Sequence, residues 1–245
     1  MPTGDTPRSL LLSLAAVAAG MALFVWCARA PDAVHSACRE DGWFEYGSAL
    51  AFAGAAIALV AASRVRRGGE RRGAMRSWFL FAALTCVVFA GEELSWGQRL
   101  LGFETPAPLR ELNEQDELSL HNLHGVQRLK YSLLVGAIAA LIVATVIGRT
   151  VPRLRHWVGR RGIPLLAFGD LVWFATALLF LRHVANWLDL VVRNDAQEIG
   201  EFLFALGLLA FAIRAWIAPR TMDLAAGTAG ASAAEPSEGG AGSAR

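Results

Sequence analysis

Long apolar runs, each of about 18 residues or more, recur along this chain, and a run of that length is what crossing a hydrocarbon core of roughly 30 Å requires. Lipid offers no water to bond the backbone, so each crossing segment must satisfy its own amides, and helices follow. The alternating pattern of barrel strands is absent. The runs lie at about 10–28, 43–63, 78–101, 131–148, 163–181 and 200–218. They predict an all-α fold: a polytopic transmembrane helix bundle of about six spans, forming a single domain over 1–222. The stretch 223–245 is rich in Ala, Gly, Ser and Glu and holds Pro236, so it is expected to be a disordered tail. Only 18% of the residues are charged, against roughly 25% in soluble domains. A net charge of +2 gives no reason to expect a nucleic-acid partner; the lipid bilayer is the expected one.

Arginine placement sets the orientation. The 64–76 connection holds Arg64, Arg66, Arg67, Arg71, Arg72 and Arg76, and the 149–161 connection holds Arg149, Arg153, Arg155, Arg160 and Arg161. Arg8 precedes the first run, and Arg214 and Arg220 close the last. All fall on one side, which predicts both termini in the cytoplasm. The first run has features of a signal peptide, with Arg8 before it and the small pair Ala28 and Ala30 after it. Its length and Pro31 favour a retained anchor. Cys27 and Cys38 flank one short outer connection, where an oxidising compartment would allow them to pair. Cys86, inside a run, reads as packing.

Ionisable groups in or beside membrane spans are costly and default to functional hypotheses. Here they gather at the outer ends. Glu45 opens the second span. Glu92 and Glu93 interrupt the third, about 21 Å past Trp78 at 1.5 Å per residue, and Arg99 follows on the face of Glu92. Two adjacent carboxylates at that depth call for a proton, a cation or an arginine. They are candidate general bases or metal ligands, or else an ion pair that fixes packing. Asp170, near the inner end of the fifth run, reads as a carboxylate paired with an arginine of the inner side.

If 112–131 is helical, Glu114, Glu117, His121, His124 and Arg128 share one face. Carboxylate and imidazole together are a ligand set for zinc, iron or manganese, although no HExxH or Cys pair is present. An amphipathic interfacial helix explains the same stripe without metal. His183 and Asn186 share a face at the end of the fifth run. Glu198 and Glu201 open the last span, where the helix dipole favours carboxylates in any case. The tryptophans near span ends read as an interfacial belt.

The string Gly91-Glu92-Glu93-Leu94-Ser95-Trp96-Gly97-Gln98-Arg99, with Asn113-Glu114-Gln115 and Leu120-His121-Asn122-Leu123-His124, resembles a segment of a group of bacterial multi-span membrane proteins of unassigned function. The resemblance covers about residues 40–215. It implies a shared role for Glu92, Glu93, Arg99, Asn113 and His121 and a bacterial inner-membrane location, and it supplies no reaction. The alkaline-ceramidase-like hydrolases share ingredients with this chain, but not their spacing, and no residue is carried across from them.

Three functions compete. The first is a membrane-embedded hydrolase or transferase acting on a lipid or lipid-linked substrate at the outer face. It would use Glu92 and Glu93 in catalysis, Arg99, Asn113 and Glu45 in substrate binding, and a divalent metal on His121, His124, His183 and Glu117. The second is an ion-coupled transporter, which the crowding of polar groups at one face and the lack of repeated halves disfavour. The third is a non-catalytic scaffold, with the polar residues acting as glue between helices.

Overall fold

The computed structural model describes residues 7–39, 42–65, 72–113, 118–119, 123, 126–184 and 193–232. Its elements are α1 (Pro7–Arg29), α2 (Pro31–Ala37), α3 (Trp43–Arg64), α4 (Arg72–Glu93), α5 (Gln98–Leu101), α6 (Ala107–Arg110), α7 (Val126–Thr150), α8 (Pro152–Arg160), α9 (Phe168–Leu179) and α10 (Arg193–Ser232). Five helical stretches are long and apolar enough to cross a membrane: Leu10–Arg29, Trp43–Arg64, Gly73–Glu93, Leu129–Thr150 and Asp195–Ile217. They mark the chain as a multi-pass membrane protein. Among the described residues no strand forms; a single antiparallel bridge joins Asn113 and Leu123.

Two helices form the centre. In the most apolar windows of α3 and α10, 56% of residues are buried, against 17% in α1, α4 and α7. Side-chain size explains how the central pair approaches. α3 is rich in alanine and glycine, and small residues let membrane helices pack backbone to backbone. At Gly47 the approach is obligatory, because a Cβ there would come within 2.9 Å of the Phe202 ring of α10. The peripheral helices turn Leu11, Leu14, Phe81, Leu84, Leu129 and Leu133 outward, as lipid-facing helices do.

The third run is not the single span 78–101 that hydropathy suggests. α4 starts at Arg72 and ends at Glu93. The reason is local: Ser95, Trp96 and Gly97 take left-handed φ values of 45°, 54° and 81°, and a residue in that region ends a helix. Glu92 and Glu93 therefore stand at the last turn of α4 instead of deep within a longer run.

The fifth run also differs. Residues 163–167 are not helical, and α9 begins at Phe168. Pro164 lacks an amide for the helix, and the Asp170 carboxylate accepts the Ala167 amide at 2.7 Å, capping the first turn. α9 continues as a π-helical segment over Phe180–Val184. It runs from Arg214, which pairs with Asp170, to Tyr131, whose hydroxyl donates to the Leu181 carbonyl. It thus links the two ends of the bundle, although it is too short to rank with the five long helices.

At the other terminus α10 continues to Ser232, into the stretch expected to be unstructured. Alanine is the best helix former, and this stretch is dense in it. The remainder of that tail, 233–245, lies outside the described residues.

Candidate functional site

The helix ends opposite the arginine-rich connections carry a cluster of charged groups. Glu45 lies in the first turn of α3. Glu93 is the last residue of α4. Lys130 lies in the second turn of α7, and Glu198 and Glu201 in the first turns of α10. Glu201, Lys130, Glu198 and Glu45 all interact electrostatically with Glu93. Lys130 Nζ donates to Glu201 Oε2 at 2.9 Å, and Gln197 Nε2 donates to Glu201 Oε1 at 2.9 Å. Three helices thus bring four carboxylates together, and the Lys130 ammonium of a fourth lies among Glu93, Glu198 and Glu201.

The helix dipole accounts for part of this arrangement. Carboxylates are favoured at the N-termini of α3 and α10. Glu93 is the exception, since it sits at the negative end of its helix and is only 8% exposed. Neither propensity nor dipole favours a buried carboxylate there. What compensates it is the Lys130 charge, and a membrane group with so specific a partner is a functional candidate by default.

Aromatic rings close the cluster from below. Phe204 lies three residues past Glu201, about 4.5 Å along the axis at 1.5 Å per residue. Its ring packs against Phe52, Phe89 and Phe174 at centroid distances of 6.1, 6.3 and 5.6 Å. Phe52 and Phe89 meet at 5.2 Å. The charged cluster thus lies over an apolar floor. At the same end of the bundle, Trp43, Leu101, Phe103 and Leu112 are exposed.

The Gly-Glu-Glu-x-Ser-Trp-Gly-Gln segment divides into two jobs. Most of it builds a turn. Trp96 folds back over Gly91, where a Cβ would stand 2.9 Å from the ring. Trp96 Nε1 donates to Glu92 Oε1 at 2.7 Å. Gln98 then organises the segment beyond, donating from Nε2 to Thr105 Oγ1 at 2.7 Å and accepting the Leu118 amide at Oε1 at 2.5 Å. Asn113 is buried, and its Nδ2 donates to the Ser119 carbonyl at 2.9 Å. Glu93 faces the charged cluster. Of the two adjacent carboxylates, Glu92 orients a tryptophan and Glu93 faces Lys130.

Of the residues singled out from sequence, Glu93 and Glu45 are therefore brought together. Asn113 is engaged in holding the outer segment. The Arg99 side chain, Glu114, Glu117, His121 and His124 lie outside the described residues. His183 falls in the π-helical segment and is exposed. Among the described residues, no three His, Cys, Asp or Glu side chains are grouped to hold a metal ion. Asp170 is fully buried, and its partner is Arg214 of α10, whose Nε donates to Oδ2 at 3.0 Å.

Sequence reasoning passed over Lys130, and counted Glu198 and Glu201 among the outer-face carboxylates while favouring the dipole explanation for them. Lys130 did carry a signal: it is the one lysine among 23 basic residues. His35 was missed too. Its Nδ1 lies 3.2 Å from both carboxylate oxygens of Asp195.

Cys27 and Cys38 are both free thiols. Cys38 Sγ donates to the Asp195 carbonyl at 3.5 Å. Burial pushes the Cys38 thiol well above its usual range, and the nearby Asp195 and Glu198 charges add to the shift. A raised pKa leaves less thiolate at any given pH, and thiolate is the reactive form. Cys38 in a Cys27→Ala/Cys86→Ala background should react with iodoacetamide at mildly alkaline pH at least about tenfold more slowly than an ordinary cysteine thiol. Intact-mass kinetics would read this, and an ordinary rate would contradict it.

No family model matches the chain, and no curated protein or solved structure matches it either. The site is read from its geometry alone.

Proposed function

We propose that this integral membrane protein is an enzyme, a hydrolase or group transferase, acting on a lipid or lipid-linked substrate at the extracytoplasmic face. The observation that carries the reading is the convergence of Glu93, Glu198 and Glu201 on Lys130 at one end of the bundle, with Glu45 beside Glu93 and Glu198. Carboxylates in such a setting serve as general acid and base. The ammonium suits an anionic oxygen of a phosphoryl or acyl substrate. Glu93 is assigned the proton-transfer role, with Arg99 and Glu45 at the substrate. The apolar side chains exposed at that end support a substrate that arrives from the bilayer. The arginine-rich connections at the opposite end support the orientation, by the positive-inside rule, with both termini cytoplasmic.

The aromatic floor weighs against the transporter reading. Alternating access needs a polar site reachable from both sides. Here packed rings stand between the carboxylate cluster and the Asp170–Arg214 pair at the other end. In the metal-assisted form of the reading, zinc, iron or manganese would sit on His121, His124, His183 and Glu117.

The test uses purified full-length protein in vesicles of phosphatidylethanolamine and phosphatidylglycerol carrying a polyprenyl diphosphate. Mass spectrometry follows the loss or transfer of headgroup, acyl chain or phosphate. Wild-type protein and Glu92→Gln should convert one of these lipids, and Glu93→Gln should do so at least about tenfold more slowly. Metal analysis of the same samples decides the metal-assisted form. Proton-coupled solute flux with no lipid product would overturn the enzyme reading.

A further inference from the structure

A second constellation of groups stands beside the carboxylate cluster, on α2 and the first turn of α10. α2 is a short helix between the first two long ones, and it carries His35. Asp195 lies in the first turn of α10, one turn before Glu198. Both oxygens of Asp195 lie 3.2 Å from Nδ1 of His35, across 160 positions of sequence. The Asp195 side chain is 8% exposed and that of His35 is 45% exposed.

This asymmetry determines the chemistry. A carboxylate only accepts hydrogen bonds, so the Nδ1 that faces it must carry the proton. In the neutral ring the lone pair then belongs to Nε2. No described residue bonds to Nε2, and the ring is open to the outside. A buried carboxylate that sets the tautomer of an exposed imidazole is the arrangement by which histidine is made ready as a base.

A purely structural staple explains the pair less well. α2 is already tied to the same residue by the bond from Cys38 Sγ to the Asp195 carbonyl, so holding the helix in place does not require a histidine. Dipole stabilisation explains a carboxylate in the first turn of α10, but not why both of its oxygens face a ring from another element. The position also connects to the site: Cys38, three residues from His35, interacts electrostatically with both Asp195 and Glu198.

We propose that His35 is a general base of the reaction proposed above, taking at Nε2 the proton of the attacking water or hydroxyl, with Asp195 as its positioning residue. The inference rests on the enzyme reading. As the water or hydroxyl oxygen bonds to the phosphorus or acyl carbon, its proton passes to Nε2. As the bond to the leaving oxygen breaks, that oxygen takes a proton from Glu93, and the ring's proton then passes back to Glu93 through water. Water or an acceptor alcohol is the only co-reactant, and the ring ends as it began.

The experiment compares His35→Asn, His35→Ala and Asp195→Asn in the vesicle assay described above. Asparagine places an amide where Nδ1 stood, so His35→Asn keeps the bond to Asp195 and should keep wild-type thermal stability. Its turnover should fall about 10²–10⁴-fold, the usual contribution of a positioned base. His35→Ala should lose as much turnover. Nitrogen chemical shifts of the neutral ring should show the Nδ1–H tautomer in the wild type and a mixture of the Nδ1–H and Nε2–H tautomers in Asp195→Asn, with turnover falling alongside. A structural role alone would not lower turnover while leaving stability intact. Turnover within twofold of wild type in His35→Asn, or a wild-type proton on Nε2, overturns the role of His35 and leaves the enzyme reading standing. Absence of lipid turnover in the wild type removes both.

Discussion

Lys130→Met is expected to destabilise the folded protein by about 3 kcal/mol, at the lower end of the cost of breaking a buried pair, and to abolish lipid turnover. The argument starts from what the substitution leaves behind. Glu201 has a side chain only 5% exposed, and its Oε2 accepts from the lysine at 2.9 Å. Methionine fills the volume but donates nothing. Gln197 still donates to Oε1, which is why the lower end of the range applies. Glu93, Glu198 and Glu45 are then left as like charges around the same point. α7 keeps the bond from Tyr131 to the Leu181 carbonyl at this end. The double variant Lys130→Met/Glu201→Gln should recover more than half of the stability, because it removes the orphaned charge, but none of the turnover. SDS-titration unfolding of detergent-solubilised protein measures the first effect and the vesicle assay the second. A double variant no more stable than Lys130→Met would show that the pair does not carry the stability. Full turnover in Lys130→Met would remove the ammonium from the proposed mechanism.

The membrane character of this chain was readable because hydropathy over about 18 residues has few competing explanations. Two boundaries were not readable, each for a local reason. The apolar run past Glu93 continues through Leu94, Trp96, Leu100 and Leu101, so hydropathy hides the left-handed turn at Ser95, Trp96 and Gly97. The run from Ile163 hides a late helix start, set by Pro164 and by the side chain of Asp170. The site was legible in kind but not in membership. Glu93 and Glu45 were found because carboxylates at span ends are conspicuous. Glu92 looked equivalent to its neighbour, and only the direction of the two side chains separates a tryptophan's partner from a lysine's. Glu198 and Glu201 were obscured by a sufficient bland explanation, the helix dipole. The His35–Asp195 contact spans 160 positions, a pairing that no local pattern announces. Lys130 could have been noticed, as the single lysine in a chain that otherwise uses arginine.

The other buried pair predicts an asymmetry. Asp170 is 0% exposed and Arg214 is 29% exposed at the side chain. The two substitutions that break the pair should therefore differ in cost. Arg214→Ala leaves a fully buried carboxylate with only the Ala167 amide as a donor among the described residues, and should cost about 3–5 kcal/mol, the range for an uncompensated buried charge. Asp170→Asn leaves the arginine, whose long side chain can extend toward the headgroups and already lies 5.4 Å from the Phe211 ring centroid. The asparagine oxygen can still accept the Ala167 amide, so the start of α9 is kept. Asp170→Asn should cost about 1–2 kcal/mol, the scale of lost charge-assisted hydrogen bonds. The double variant Asp170→Asn/Arg214→Ala should be more stable than Arg214→Ala alone, since it removes the stranded charge. Because the pair lies beneath the aromatic floor, all three variants should keep the wild-type turnover per folded molecule. Unfolding titrations of the three variants read the order. Equal costs for the two single substitutions would mean that water reaches Asp170 from the arginine-rich end, and that this end of the bundle is more open than its packing implies.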